Sequence, residues 1–551
     1  MKKIDWLIIV SIIFVSIIVL KDLFKPGMYT SHDGIHQIVR FYYFDQALRD
    51  GQIPPRWAQG LMNGFGYPLF IFSYHLPWFI AEFMRVLGSS IIDSVKMTFL
   101  VGFALSGITM YFLQKDLFGR LAAVVGTGLY LFAPYRFSNI FVRAAIGDAT
   151  AFMFAPLVFW AVWKLKNGWN WKWVSVGSIG TAGLILSHAM VATLFLTIFA
   201  IYIIFSLVWV KNKFNYLKCC SITFLLGLGI SAYYFIPSIV ERGNTQFQNL
   251  MSQIFVGAYF PSISDLIYSK WGYGVFHSKE GAMSVQLGIV QWVIVLFTIL
   301  VVFRQIQNKN LTKHEKEINN LGKILLFMFF LSIFMMLSVS LPLWKTFSQI
   351  VFIDFPWRFL AVSTFLVSIC AGLLISASGK FKTVLAVVFI FSAIYFNRNH
   401  LHINQILPWD LSFMLKLEKT TNSFDEYTPK WVKSELVKEN TSRVELSDLK
   451  SKFNINQNTT NKLNLSINSP AGGNLYINTI YYPGWEATIN GVKSKINYDN
   501  GLIKLPLEKG DSIVKLHFYE TSLRLFSDIL SIISLLVIFT GLVKFRMHSK
   551  I

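Results

Sequence analysis

Cysteine and charge are both scarce in this chain. Three cysteines stand among 551 residues, Cys219, Cys220 and Cys370. All lie in or beside apolar runs, which excludes a disulfide framework and offers no metal-ligand spacing. Only 14% of residues are charged against 54% apolar, whereas soluble proteins carry roughly a quarter charged. So apolar a chain cannot hide its hydrophobic residues in water-soluble domains without large sticky patches, so lipid is its expected solvent. Repeats of solenoid type are lacking. So is an inverted pair of interrupted helices, the mark of many transporters. No small-residue cleavage site follows the first apolar run, Met1 to Phe24, which reads as an uncleaved first spanning helix.

What charge there is leans basic, with a formal net charge of +21. The basic residues concentrate at helix ends and in short loops, the distribution of positive-inside topology rather than of a nucleic-acid-binding face. Taking roughly 16 to 22 apolar residues per crossing predicts about twelve spans, near 4–24, 91–113, 120–138, 149–164, 172–188, 190–209, 217–238, 285–303, 324–341, 358–377, 382–397 and 525–544. Loops after even-numbered spans then carry little but Lys, Arg and Asn, and are expected in the cytoplasm with both termini. The segment Pro68 to Leu87 is apolar enough to cross, but counting it would turn every Lys-rich loop outward. Its prolines, with His75, Glu82 and Arg85, suit a helix lying at the interface.

The sequence divides accordingly. Residues 1–398 form a polytopic transmembrane domain whose first outer loop is 25–90. Residues 399–522 lose the long apolar runs and gain period-two alternation, as in Leu463, Leu465 and Ile467 and in Val514, Leu516 and Phe518. Asn490-Gly491 and Asp499-Asn500-Gly501 read as hairpin turns between strands. This is a small, mostly β domain, extracytoplasmic by parity. Residues 523–551 supply a last transmembrane helix and a short basic tail.

Every unusual polar cluster falls on the predicted outer side. Asp33, flanked by His32 and His36, follows the first span. Such a carboxylate can act as a general base, orient a sugar hydroxyl, or hold a divalent cation against a phosphate. The plainer alternative is ordinary helix capping by Ser31 or Asp33. Arg56 and Trp57, after two prolines, suit a phosphate and a sugar face, or simple interfacial anchoring. Tyr135, Arg136, Arg143 and Asp148 follow the third span, where arginines run against the charge bias. A phosphate or pyrophosphate ligand would explain them, and so would an ion pair with Asp148. His188 ends a span and reads more simply as a structural histidine. Arg358 opens another span from outside, as a phosphate contact or a snorkelling anchor.

The motifs, taken in order, carry a resemblance. His32-Asp33-Gly34-Ile35-His36, Pro55-Arg56-Trp57, Gly64-Phe65-Gly66-Tyr67-Pro68, Ala133-Pro134-Tyr135-Arg136, Val142-Arg143-Ala144-Ala145, Ser187-His188, Pro356-Trp357-Arg358 and Glu426-Tyr427-Thr428-Pro429 resemble bacterial membrane proteins catalogued as 6-pyruvoyl-tetrahydropterin synthase-related. Nothing in them suggests pterin chemistry. Tyr482-Pro483-Gly484-Trp485 is similar to the β domain of related large membrane proteins. These families are similar to glycosyltransferases of the C superfamily (GT-C), which take sugars from polyprenyl phosphate carriers. The resemblance implies a GT-C-like cell-membrane enzyme with Asp33 and Asp148 as first- and second-loop acids. His36, Arg56, Trp57, Tyr135, Arg136, Arg143, His188 and Arg358 would bind substrate. It further implies a polyprenyl-phosphate-linked sugar donor, a cell-envelope glycan or protein acceptor, and a Mg or Mn ion as a candidate cofactor. The family usually shows Glu where this chain has Asp148, and the first loop lacks the paired acidic motif of the best-known superfamily members. A non-catalytic envelope assembly factor on the same fold is the alternative. A transporter is the third reading, against which stands the paucity of ionisable residues within the predicted spans.

Overall fold

The computed structural model describes residues 2–251, 259–276, 278, 280–307, 312–347, 353–433 and 442–548. The protein is a mostly helical membrane protein with a β domain near its C-terminus. Among the described residues, eight helices are long and apolar enough to cross a bilayer: Ile91–Phe118, Ile146–Leu165, Ala189–Ser206, Ile289–Gln307, Glu315–Met336, Pro356–Ala377, Gly379–His400 and Ser522–Phe545. The remaining runs expected to cross are also helical, but shorter or broken. Lys3–Val19 and Trp171–Ser187 have 17 residues each and Arg120–Leu131 has 12. The run expected at 217–238 breaks into Lys213–Ile230 and Ala232–Asn244, bent by 77° about Ser231. A hydropathy window cannot see such a break, because Ser231 and the internal Pro237 barely change the mean. Pro68 to Leu87 forms Leu69–Phe72 and Leu76–Val86. The longer helix has 11 residues, about 16 Å, too short to cross.

The bundle has two chemically distinct ends, and the 28-residue helix Ile91–Phe118 measures between them. Near its start, Lys96 Nζ donates to the carbonyls of Lys25 (2.6 Å) and Gly27 (3.0 Å), in the first loop. Near its finish, Lys115 Nζ meets Asp5 Oδ2 at 2.8 Å, and Arg120 Nε meets Asp5 Oδ1 at 3.0 Å. Nineteen residues of helix separate the two lysines, about 28 Å. The first loop and the Asp5–Lys115–Arg120 cluster therefore lie a hydrocarbon thickness apart. Pro356–Ala377 is almost wholly buried at the centre, whereas Gly379–His400 and Ser522–Phe545 turn most of their apolar surface outward, as lipid-facing helices do.

Eight strands make two antiparallel sheets: β1 (Val444–Leu446), β2 (Lys452–Asn458), β3 (Lys462–Ser469), β4 (Gly473–Ile480), β5 (Trp485–Ile489), β6 (Val492–Ser494), β7 (Leu502–Leu507) and β8 (Gly510–Phe518). One sheet runs β1-β4-β7 and the other β2-β3-β8-β5-β6. Leu463, Leu465, Ile467, Val514, Leu516 and Phe518 all point into the core, as their alternation predicts. Asn490 (φ +50°) and Gly491 (φ +83°) close the β5–β6 hairpin in the two-residue form that positive φ requires.

This core is not made by strands alone. Trp57, Met62, Phe65, Ile71 and Phe72 of the first loop pack into it. Ile480 N–H donates to Phe65 O at 2.7 Å. Gly66 (φ +87°) permits the contact, since a Cβ there would meet the Trp57 ring at 2.4 Å. The first loop thus clamps the β domain onto one end of the bundle.

Candidate functional site

Two loops bring the polar residues together. After Pro134–Phe137 the chain winds into a π-turn, Ser138–Arg143, and reverses at Ala144, whose φ of +54° is left-handed. That reversal sets Arg143 against Asp148 at the start of the next helix, with Arg143 Nη1 at 2.8 Å from Asp148 Oδ2. Asn139 Oδ1, one turn back, accepts from the same nitrogen at 2.6 Å. The first loop lies alongside. His32 N–H donates to Val142 O (3.0 Å) and Asp33 N–H to Arg143 O (2.9 Å), a strand-like pairing that brings Asp33 near Arg143, whose guanidinium feels its charge.

Asp148 is fully buried and surrounded by cations. Arg358 Nη1, from the head of the central helix, reaches both its oxygens at 2.9 Å. His188 Nε2 stands 3.6 Å from Oδ1, where His188 ends one helix and caps the next. Arg358 turns its other edge to Asp354, Nε to Oδ1 at 2.5 Å and Nη2 to Oδ2 at 2.7 Å. Arg143 is stacked over Trp357, 4.7 Å to the ring centroid. Gly147 makes room for this packing: a Cβ would meet Ser187 O at 2.6 Å and the His188 and Tyr74 rings at 2.9 Å.

The two carboxylates are in opposite states. Asp148 is committed to two guanidinium groups. Asp33 occupies the N-cap position of Gly34–Arg49, yet its side chain accepts no capping hydrogen bond. Its half-buried carboxylate has no hydrogen bond or ion pair among the described residues. Arg143 likewise keeps Nε and Nη2 clear of any partner among the described residues. Burial is the largest single influence on Arg143 and disfavours its charge, but Asp148, Tyr135 and Asp33 acting together raise its pKa. Tyr74 feels Arg40, Asp33, Asp148 and Arg358 together, and burial raises its pKa. Burial also pushes His188 down to about 4, against the pull of Asp148, and lowers His32.

Of the residues singled out from sequence, Asp33, Arg143, Asp148, His188 and Arg358 gather here. Tyr135 flanks them, its ring 6.3 Å from Trp357. His36 lies one turn beyond Asp33 and pairs with Glu418 Oε2 at 2.6 Å. Arg56, Trp57 and Arg136 stand elsewhere. Arg56 is buried and spends its donors on Glu520 Oε1 (2.9 Å), Asp528 Oδ1 (2.8 Å) and Tyr233 O (2.7 Å). Trp57 is wholly enclosed between Trp485 and Phe518, so no sugar can stack on it. Arg136 sits inside the bundle against Phe103, Tyr130 and Phe152, with Nη2 donating to Ser106 Oγ at 2.8 Å.

The geometry adds residues that sequence reading passed over: Asp354, Arg40, Tyr74 and Asn139. Asp354 and Arg40 had a usable signal, standing four residues from Arg358 and His36. Tyr74 had none. A divalent cation fits this donor set poorly, because Asp148 is already neutralised by two guanidinium groups. No group of three His, Cys, Asp or Glu with metal-binding geometry occurs among the described residues.

Comparison with known proteins gives the following. An uncharacterized protein of Lactococcus lactis subsp. cremoris (strain MG1363) is 24% identical over 314 residues, 55% of this chain and 49% of that protein. The chain thus spans about half the length of this curated relative. Among solved structures, the arabinofuranosyltransferase AftD from Mycobacteria aligns over 75% of this chain and 27% of its own, with TM-score 0.46 and 8% identity. The Archaeoglobus fulgidus oligosaccharyltransferase, in complex with Zn and sulfate, aligns over 73% and 54%, with TM-score 0.42 and 11% identity. ArnT from Cupriavidus metallidurans bound to undecaprenyl phosphate aligns over 76% and 89%, with TM-score 0.34 and 12% identity. Residues 424–529, the β domain and the head of the last helix, match the family described as bacterial membrane protein YfhO.

Proposed function

We propose that the protein is a membrane glycosyltransferase that moves a sugar from a polyprenyl-phosphate-linked donor to an extracytoplasmic cell-envelope acceptor. One observation carries this reading: an uncommitted carboxylate, Asp33, lies near a guanidinium, Arg143, that keeps donors in reserve. Asp33 takes the proton from the acceptor hydroxyl as that oxygen attacks the anomeric carbon. The bond from anomeric carbon to phosphate oxygen breaks, and its electron pair leaves on the phosphate. Nε and Nη2 of Arg143 receive that charge, in a site whose low dielectric strengthens the interaction. Asp148 then acts as a positioning residue, holding Arg143 and Arg358 in place, rather than as a second base. Arg56 and Trp57 tether the β domain, and Arg136 braces the bundle.

Transfer of labelled sugar in membranes supplied with lipid-linked donor tests the reading. Asp33→Asn lowers transfer by about 100-fold or more, the scale of a lost general base, with the melting temperature unchanged. Equal transfer by the variant removes Asp33 from the mechanism. A second reading, binding of a lipid-linked glycan without turnover, is favoured by the commitment of Asp148 to ion pairs. It predicts saturable binding and no transfer by the native chain.

A further inference from the structure

A cavity of about 460 Å³ lies among described loop residues between Phe260 and Val285, and none of the Asp148 cluster lines it. Its size falls within the roughly 300–1,000 Å³ of small-ligand sites. Aromatic rings of Phe260, Tyr268, Trp271 and Phe276 line it, together with the Asp265 carboxylate and Lys270. We propose that this cavity is a saccharide subsite for the acceptor glycan; the word acceptor rests on the transferase reading, the saccharide class does not.

Three features support the class and the place. Flat rings match the C–H faces of a pyranose, while their edges leave the hydroxyls free to bond. Among the described residues Asp265 uses only Oδ2, on Ser262 N (3.0 Å) and Oγ (2.6 Å), so Oδ1 remains to accept sugar hydroxyls. Lys270 is exposed and makes no ion pair among the described residues, and so supplies a donor. The lobe is built rather than loose. Ser269 and Ser284 bond at 2.9 Å, Leu287 N–H reaches Leu266 O at 2.8 Å, and Met283 N–H reaches Gly274 O at 2.9 Å.

The lobe is also bonded to both loops of the candidate site. Tyr273 O pairs with His32 Nε2 at 3.1 Å, one residue from Asp33. Ser284 O accepts from Ser138 Oγ at 3.0 Å, at the start of the π-turn that carries Arg143. Trp271 is seated on His400, ring centroids 4.5 Å apart, which fixes one wall.

The test is tryptophan fluorescence of the full chain in nanodiscs, titrated with gluco-, galacto- and N-acetylglucosamine tetrasaccharides and, separately, with inorganic phosphate. Saturable quenching by at least one tetrasaccharide is expected. Tyr268→Ala and Asp265→Asn each weaken it about tenfold, the worth of one ring or hydrogen bond, without lowering the melting temperature. Tyr268 is exposed, so its removal leaves the lobe folded. Asp33→Asn keeps the binding while losing transfer. Binding that survives both pocket variants, a response to phosphate alone, or no saccharide binding by a chain that still transfers sugar overturns the subsite. Pocket-dependent binding by a chain that transfers nothing upholds the subsite and sinks only the transferase reading.

Discussion

Asp148 and Asp33 differ in what surrounds them, and the roles proposed for them rest on that difference. A buried carboxylate with guanidinium groups at 2.8 and 2.9 Å holds its charge and holds its neighbours still. A half-buried carboxylate with no side-chain bond among the described residues suits the base role proposed for Asp33. Half-buried His188 and fully buried His75 add a pH dependence. His188 is lowered to about 4 and His75 to about 3, both chiefly by burial. The unfolded chain protonates histidine near pH 6.5, so below that pH it binds protons that the folded protein refuses. Stability contributed by these residues is therefore complete above about pH 6.5 and falls as pH drops toward 4. Melting temperatures in detergent at pH 7.5, 5.5 and 4.5 check this, with a progressive decline expected. A flat profile, or a rise on acidification, contradicts it.

At the scale of elements, the π-turn, the left-handed Ala144 and the short helix with Gly147 act as one device. They reverse the chain so that Arg143 faces Asp148, and they leave room for the His188 and Tyr74 rings. A methyl at Gly147 would press on Ser187 O, a backbone atom in a helix that cannot yield cheaply. Gly147→Ala should cost about 1–3 kcal/mol, the usual penalty of overpacking, and reduce transfer, as chemical denaturation and the transfer assay would show. No loss of either would mean the helix shifts freely. The candidate site was legible to the extent that its partners are local or share a motif. Val142-Arg143-Ala144-Ala145 and Pro356-Trp357-Arg358 announced two guanidinium groups at one membrane end. What no reading of spacing could separate was an arginine facing the site from one satisfied elsewhere. Arg56 finds its carboxylates 464 and 472 residues away, in Glu520 and Asp528, which only the folded chain brings near.

The whole molecule is a bundle with a β domain clamped to one end by the first loop. Helical stretches were legible from hydropathy, and the strands from alternation. The break at Ser231 and the membership of Trp57 in the β core were not, because neither changes the local pattern. Two-sidedness follows from the Lys96–Lys115 separation, but compartments need a direct assay. Single cysteines at Asp499, in a β-domain turn, and at Lys211, an exposed loop residue, serve, since the native cysteines are buried. A membrane-impermeant maleimide on intact cells is expected to label position 499 and spare 211. The reverse pattern would put the site in the cytoplasm. A structure of the full chain with undecaprenyl phosphate tests the Asp33–Arg143 site most directly. Phosphate density is expected within about 3 Å of Arg143 Nε and Nη2, on the side where Asp33 faces. Phosphate bound at Lys115 and Arg120, or leaving Arg143 untouched, would contradict it.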